Sequence, residues 1–290
     1  MGTVRVTQAT SAARTADLQT FEASIRAEMR TMRRRYEATA WTVRIAALLV
    51  VLGGWEFLSA TNIIKAFYIS DPISVAVSLI NVLGQGATWY NLWQTLVAAA
   101  ISLAVGSILG VAGGVALWRV SVLARAFNPY ITLFNALPRP ALAPLFIMWF
   151  GLGVTAKVFV AVTIVFFLLL VNTMAGLSNV DPDILALANS LGASRLQRFL
   201  LVEIPSALPS IVAGLRLGAV YSVLGVVVSE MVASYYGLGQ MLVKATNGFQ
   251  VSMSFAILVL MAAMAVVLDV GAWLLQRHVQ QGEESRASLR

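Results

Sequence analysis

The sequence predicts an all-α membrane protein with about six transmembrane helices. Hydrophobic residues make up 59% of the 290 residues and charged residues only 11%, whereas about 25% of a soluble domain is charged. Several apolar runs also reach the length of about 20 residues that crosses a bilayer. The composition therefore argues against a water-soluble fold and makes lipid the main solvent of this chain.

Hydropathy and helix-breaking residues place the six spans at 42–60, 89–117, 122–150, 155–177, 206–233 and 251–276. The second span carries Gly106, Gly110, Gly113 and Gly114 among many Ala and Ser residues. Small residues let helices approach closely in lipid. We therefore expect the second span at the centre of the helix bundle.

The distribution of Lys and Arg predicts the orientation. Basic residues are concentrated in the N-terminal segment 1–41, in the second-to-third and fourth-to-fifth connections, and in the tail 277–290. The outer connections keep only Lys65, Lys157 and Lys244. Cytoplasmic segments carry the excess of basic residues, so both termini are predicted to be cytoplasmic.

Two further helices are predicted outside the spans. Residues 15–40 have an apolar face at three- and four-residue steps opposite an arginine-rich face. Such a segment is expected to lie on the inner leaflet or to pack on a partner. Asp71 and Pro72 form a helix-start signal for a short outer helix that ends at Leu83.

The residue inventory gives no sign of catalysis or metal binding. Cysteine is absent, and the single histidine, His278, lies near the C-terminus. None of the three lysines follows glycine in a Gly-Lys-Ser/Thr phosphate loop. We therefore expect no catalytic residue, metal or cofactor in this chain, and an ATP-driven activity would need a separate ATPase.

The connection 181–204 carries an unusual density of helix-start and helix-stop signals. Asp181 and Pro182 predict the start of a first short helix, and Gly192 interrupts it. Ser194 and Gln197 fit a capping box that starts a second short helix. We expect a stiff cytoplasmic helix–turn–helix for docking a partner, with a re-entrant or interfacial hairpin as the alternative. We expect Pro205 and Pro209 to bend the chain where it enters the fifth span.

Polar residues inside the spans are the candidates for a translocation path, because burying them in lipid is costly. Arg139 is flanked by Pro138, Pro140 and Pro144, which must disturb the third span. It is predicted to contact an anionic substrate, or alternatively to pair with an acid of the chain or to extend to the interface. The candidates for the translocation path are Asn135, Arg139, Asn172, Tyr221, Ser222 and Glu230. For Glu230, structural pairing is the alternative.

A resemblance to a known family begins at residues 190–216, SLGASRLQRFLLVEIPSALPSIVAGLR. This segment resembles the cytoplasmic signature loop of the permeases of ABC importers. LPRPALAPLFIMWFGLG at 137–153 and NTMAGLSNVDPDIL at 172–185 are similar to the nitrate/sulfonate/taurine branch. One position departs from the pattern, because Ala186 stands where the family has a glutamate.

The resemblance implies a type I ABC importer permease fold in the bacterial inner membrane, with a cytoplasmic coupling helix pair. It implies a cytosolic ATPase dimer that holds ATP and Mg, a second permease copy, and an extracytoplasmic binding protein; no nucleic acid is implied. The cargo is expected to be a small organic anion or a sulfonate- or nitrate-like solute. Heterocyclic vitamin or pyrimidine precursors are the alternative cargo, and an ATP-independent carrier or channel is the alternative class. The residues that would couple to the ATPase are Ala188, Leu191, Gly192, Ala193, Ser194, Arg195, Arg198, Phe199, Pro205 and Pro209.

Overall fold

The computed structural model describes residues 36–287 together with Met29 and Met32, with side chains as far as Leu274 except those of Ala66 and Ser121. Most of the predicted amphipathic segment 1–41 thus lies outside the described residues. The chain divides into two compact units, one ending at Pro72 and the other beginning at Ile73. We describe each unit by itself.

The first unit contains one long apolar helix and a short one. Helix α1 spans Tyr36–Ala60 and is long and apolar enough to cross a membrane. Helix α2 spans Ala66–Ile69, and the indole N–H of Trp55 donates to the carbonyl of Ile69 at 3.2 Å. This hydrogen bond ties the outgoing chain back to α1.

The second unit is built from the remaining helices, and its described residues contain no β-strand. Besides a 3₁₀ turn at Arg139–Leu142, its helices are α3 Pro72–Leu83, α4 Gly86–Arg119, α5 Ser121–Ala136, α6 Ala143–Phe150, α7 Val154–Ser178, α8 Pro182–Ser190, α9 Arg195–Arg198, α10 Ile204–Val232, α11 Leu238–Asn247 and α12 Val251–Ala287. Counting α1, five helices are long and apolar enough to span a membrane, and α5 with 139–150 forms a sixth, bent candidate. The all-helical fold with about six spans is confirmed.

The third predicted span, 122–150, is not a continuous helix. Its two halves, Val122–Ala136 and Arg139–Phe150, meet at an angle of 83°. Pro138, Pro140 and Pro144 cluster at the break and lack the N–H groups that a continuous helix requires. The prolines therefore split the span, and Arg139 lies at the break.

Helix α4 lies against α7 through its glycines, in agreement with the central position predicted for the second span. A Cβ atom on Gly110 would lie 2.6 Å from the carbonyl oxygen of Phe166, and one on Gly106 would lie 2.7 Å from the Cβ of Val165. Gly114 is equally close to Thr173. Only glycine permits this backbone approach, which places α4 and α7 at the centre of the bundle.

We predict that Gly110→Ala destabilises the protein by about 1–3 kcal/mol, the usual cost of overpacking. The added methyl group would collide with main-chain atoms of α7, which cannot rotate away. Gly113→Ala is the matched control, because its Cβ would meet a flexible side-chain atom of Leu170 at 3.4 Å. Thermal unfolding in detergent measures both variants, and equal midpoints would contradict the prediction.

A second region of the core joins the ends of α10 and α12 to α4. Short helix α11 packs there, although the sequence analysis treated residues 238–247 as an outer connection. The buried residues at this junction are Ala98, Ala99, Ala161, Val223, Val226, Leu238, Leu242, Ala245, Ile257, Met261 and Met264. The chain after the fifth span is therefore folded into the bundle.

Candidate functional site

The first half of the loop 181–204 has the predicted capped geometry. The carboxylate of Asp181 accepts a hydrogen bond from the N–H of Asp183 at 2.8 Å. At the other end Gly192 has φ +74°, and the N–H of Ala193 donates to the carbonyl of Ala188 at 3.1 Å. This Schellman motif ends α8 and fixes the direction of the following chain.

The second half begins with the predicted capping box. The hydroxyl of Ser194 accepts from the N–H of Gln197 at 3.3 Å, and the Gln197 amide oxygen accepts from the N–H of Ser194 at 2.8 Å. Both ends of the turn are thus held by local hydrogen bonds.

The predicted second short helix begins at this capping box, but it does not end before the fifth span. Helix α9 continues through a π-helical turn at Phe199–Glu203 into α10, so that Arg195–Val232 forms one 38-residue helix. In the π turn the N–H of Ile204 bonds to the carbonyl of Phe199. Pro205 directly follows the π turn as the second residue of α10. Pro209 lies inside α10, and neither proline separates the loop from the span.

The loop is braced by its own side chains. Arg198 donates to the carboxylate of Glu203 at 2.8 Å and to the side-chain oxygen of Asn189 at 3.3 Å. Glu203 is buried, with 2% of its surface exposed. The charge of Arg198 is therefore already engaged within the loop.

An aromatic contact attaches the loop to the end of α4. The ring of Phe199 stacks on Trp118 with centroids 6.4 Å apart, and the guanidinium carbon of Arg119 lies 3.9 Å from the Phe199 centroid. Phe199 thus packs the loop against the end of α4. No local sequence pattern indicates Trp118 or Arg119 as its partners.

The ten predicted coupling residues divide into an outer and an inner group. Leu191, Gly192, Ser194, Arg195 and Pro209 are exposed, whereas Ala188 is buried and Ala193, Arg198, Phe199 and Pro205 are half-buried. Leu187 is exposed like Leu191, whereas Leu196, which is also exposed, lines a cavity with Phe199. The loop thus exposes apolar side chains, while the part next to α4 and α10 is held by internal contacts.

Four of the six translocation-path candidates line one cavity of about 380 Å³. Asn135 and Arg139 reach it from the broken third span, Asn172 from α7 and Tyr221 from α10. Phe167 and apolar side chains complete the walls. Residues far apart in the sequence therefore form a single polar patch, in which Asn135 and Tyr221 are exposed.

Arg139 has no acidic partner among the described side chains. Its guanidinium donates to the side-chain oxygen of Asn135 and, at 3.5 Å, to the carbonyl of Phe134. The guanidinium carbon also lies 4.9 Å from the Phe167 ring centroid. Its Nε is buried without a hydrogen-bond partner. The alternative in which Arg139 pairs with an acid of the chain is therefore not observed.

The other two candidates, Ser222 and Glu230, do not line this cavity. Ser222 is fully buried and donates to the carbonyl of Ala219 at 2.8 Å. Glu230 is also fully buried and forms an ion pair with Lys157 at 3.0 Å. For Glu230 the structure therefore supports the alternative of structural pairing.

A family model described as the binding-protein-dependent transport system inner membrane component matches residues 102–283. The chain belongs to this family. The sequence resemblance to permeases of ABC importers is thereby confirmed, and this chain is a multi-pass permease of such an importer.

Two relatives and one solved structure illustrate the membership. The taurine transport system permease protein TauC of Escherichia coli (strain K12) is 30% identical over 82% of this chain and 88% of its own length. The riboflavin transport system permease protein RibX of Chloroflexus aurantiacus is 33% identical over 82% of this chain and 89% of its own. An inward-facing structure of the MetNI methionine ABC transporter superposes with a TM-score of 0.58 at 20% identity, over 66% of this chain and 94% of that chain. That likeness shows the fold alone.

The buried ion pair between Lys157 and Glu230 was not predicted, because Lys157 was assigned to an outer connection. Only 3% of Lys157 is exposed, and its Nζ also donates to the carbonyl of Tyr236 at 2.5 Å. The only available signal was an isolated lysine three residues inside a strongly apolar run. Its partner lies 73 residues further on, so local patterns do not reveal the pair.

A second ion pair in the permease joins α10 to α12. Arg216 donates through two nitrogens to the two carboxylate oxygens of Asp269, at 3.1 and 3.0 Å. Arg216 thereby holds α12 against α10.

Proposed function

We propose that this permease forms the translocation path for a small organic anion, such as a sulfonate. It would act as a homodimer with a cytosolic ATPase dimer and an extracytoplasmic binding protein. Both termini and the loop 181–204 would face the cytoplasm, in line with the distribution of Lys and Arg. ATP and Mg would be held by the ATPase subunit, and this chain would carry no cofactor.

The surroundings of Arg139 are the observation that supports an anionic cargo. A guanidinium at membrane depth is costly unless an anion or several hydrogen-bond acceptors compensate its charge. Here an amide oxygen, a carbonyl and an aromatic ring are its partners, and one N–H is unsatisfied. A sulfonate or carboxylate would supply the missing acceptor through charge-assisted hydrogen bonds. The relative TauC, a taurine transport system permease protein, agrees with this assignment.

The cavity suits a small solute in size and lining. Ligand pockets occupy about 300–1,000 Å³ and combine apolar walls with a few polar groups. The cavity of about 380 Å³ lies at the low end of this range, with Arg139, Asn135 and Asn172 as polar groups. A broken helix at this position agrees with the rule that irregular backbone at membrane depth lines a cavity.

The loop is the natural coupling element. Its two caps and the Arg198–Glu203 brace make it stiff enough to transmit a displacement, and the continuous helix Arg195–Val232 connects it directly to the cavity residue Tyr221. Closure of the ATPase dimer would move the loop and, with it, the wall of the cavity. The exposed leucines would supply apolar contacts where the family's glutamate is replaced by Ala186.

A heterocyclic vitamin or its precursor is the second candidate cargo. The relative named as a riboflavin permease is as similar to this chain as the taurine permease. Phe167 and Tyr221 line the cavity and offer aromatic faces for stacking. A planar neutral ring would use these faces more than Arg139, which allows the two cargos to be separated experimentally.

Substitution of Arg139 tests the anionic cargo. We expect Arg139→Gln to lower uptake of a labelled sulfonate by about tenfold to a hundredfold, since a hydrogen bond to a charged group contributes about 1.5–3 kcal/mol. Arg139→Lys should retain part of the uptake, and Arg125→Gln, outside the cavity, should retain all of it. Uptake is measured in cells that express the whole transporter, with co-purification of the ATPase as the assembly control.

Riboflavin uptake by the same cells separates the two cargos. Sulfonate uptake that is unchanged in Arg139→Gln would overturn the anion assignment. Riboflavin uptake that depends on Tyr221 but not on Arg139 would favour the heterocyclic cargo.

A further inference from the structure

A second, basic cavity lies at the base of the loop, away from the cavity around Arg139. It has a volume of about 540 Å³ and is lined by Trp118 and Arg119 at the end of α4 and by Arg195, Arg198, Phe199 and Glu203 of the loop. Passage of a solute does not account for a cavity at this position, and only three of its lining residues, Arg195, Arg198 and Phe199, are among the predicted coupling residues.

The charges in this cavity do not balance. It contains three guanidinium groups and one carboxylate, and that carboxylate, Glu203, is already paired with Arg198. Within the described part of the chain, neither Arg119 nor Arg195 has an acidic partner. Arg119 instead lies against the Phe199 ring, which leaves its N–H groups available at the edge of the cavity.

The length of α4 puts this cavity at the level of the lipid headgroups. Its 34 residues correspond to about 51 Å at 1.5 Å per residue, against about 30 Å for the hydrocarbon core and about 40–45 Å with the headgroups. Both ends of α4 therefore reach the headgroup layers. Trp118 marks this depth at the end next to the cavity, as Trp89 and Trp93 do near the other end.

We propose that the cavity formed by Arg119, Arg195, Arg198 and the Phe199 ring binds the phosphate of an anionic phospholipid headgroup. The two uncompensated guanidinium groups more than neutralise the single negative charge of a headgroup phosphodiester, and one guanidinium can donate hydrogen bonds to two phosphate oxygens at once. The exposed side chain of Leu196 and the ring of Trp118 would contact the glycerol and first acyl carbons. Basic pockets at the ends of transmembrane helices are suited to such headgroups.

This assignment gives the lipid a physical role. The bound headgroup would sit between α4 and the loop, where Phe199 already joins them. It would thereby stabilise the position of the loop relative to the bundle. The proposal concerns a different cavity from the proposed anion path, so either can fail without the other.

Native mass spectrometry of the purified transporter complex tests the proposal. We expect the complex to retain phosphatidylglycerol in preference to phosphatidylcholine, and Arg119→Gln to weaken that retention about fivefold, the factor for one basic residue near a lipid surface. Arg119→Lys keeps the charge and should retain most of the lipid. Arg125→Gln is the matched control, because it removes an arginine that does not line the cavity.

Three results would overturn the proposal. Equal loss of lipid in Arg119→Gln and Arg125→Gln would show only non-specific attraction. Displacement of phosphatidylglycerol by added inorganic phosphate would show a site for the free ion. Release of the ATPase from Arg119→Gln with unchanged lipid would show that an acidic side chain of the partner fills the cavity.

Discussion

Replacing Lys157 by methionine is expected to destabilise the permease by about 3–5 kcal/mol, the cost of breaking a buried ion pair by removing one partner. Glu230 has no exposed surface and would remain as a buried carboxylate without its compensating cation. The Nζ of Lys157 also bonds to the carbonyl of Tyr236, and that contact would be lost too. Unfolding in detergent, followed by tryptophan fluorescence, measures the effect.

Two further variants separate charge from packing at this pair. Lys244→Met makes the same chemical change at an exposed lysine and should alter stability by less than about 0.5 kcal/mol. Combining Lys157→Met with Glu230→Gln removes both charges and should recover much of the loss, because a neutral amide still accepts from Thr95 or Gly239. A double variant no more stable than Lys157→Met would contradict the explanation by an unpaired charge.

The expected effect is large because this ion pair holds four elements together. Thr95 of α4 donates to the Glu230 carboxylate at 3.0 Å, and the N–H of Gly239 in α11 donates to it at 2.9 Å. Gly237 has φ +123°, and a Cβ there would collide with the carboxylate. The network thus joins α4, α7, α10 and α11 at one buried carboxylate, at the end of the bundle opposite the loop.

The features of this chain that could be predicted are those that a short stretch of sequence determines. Spans follow from hydropathy over about 20 residues, and the caps at Asp181, Gly192 and Ser194 follow from residue types at fixed offsets. The close packing of α4 followed from its glycines. Each of these signals is local, so a single sequence was sufficient.

The remaining features depend on partners that are distant in the chain. Lys157 and Glu230 are 73 residues apart, and Arg216 and Asp269 are 53 apart. Hydropathy treats each charge as a sign of a connection, although a pair of opposite charges is tolerated inside the bundle. Grouping Asn135, Arg139, Asn172 and Tyr221 around one cavity likewise required the tertiary packing. The continuous helix through Pro205 was missed because the π turn is not visible in the sequence.

The second large effect is expected at Gly192, where substitution by valine should uncouple transport from ATP hydrolysis. The residue has φ +74°, and nothing lies within 4 Å of a Cβ placed on it. Side-chain volume is therefore tolerated, and the cost comes only from forcing an L-residue into the left-handed region, about 1–2 kcal/mol and more for a β-branched residue. Because this conformation closes the Schellman motif, its loss would free α8 from the turn.

A graded series tests whether this backbone conformation matters for coupling. Asparagine tolerates the left-handed region best, so uptake per ATP hydrolysed in proteoliposomes should fall in the order Gly, Asn, Ala, Val. Gly151 provides the matched control: it has φ +77° and open space but follows α6, outside the loop. Gly151→Val should lower stability at least as much, yet leave the ratio of uptake to ATP hydrolysis unchanged. If both valine variants changed that ratio equally, general destabilisation would explain the effect, and the loop would not be the coupling element.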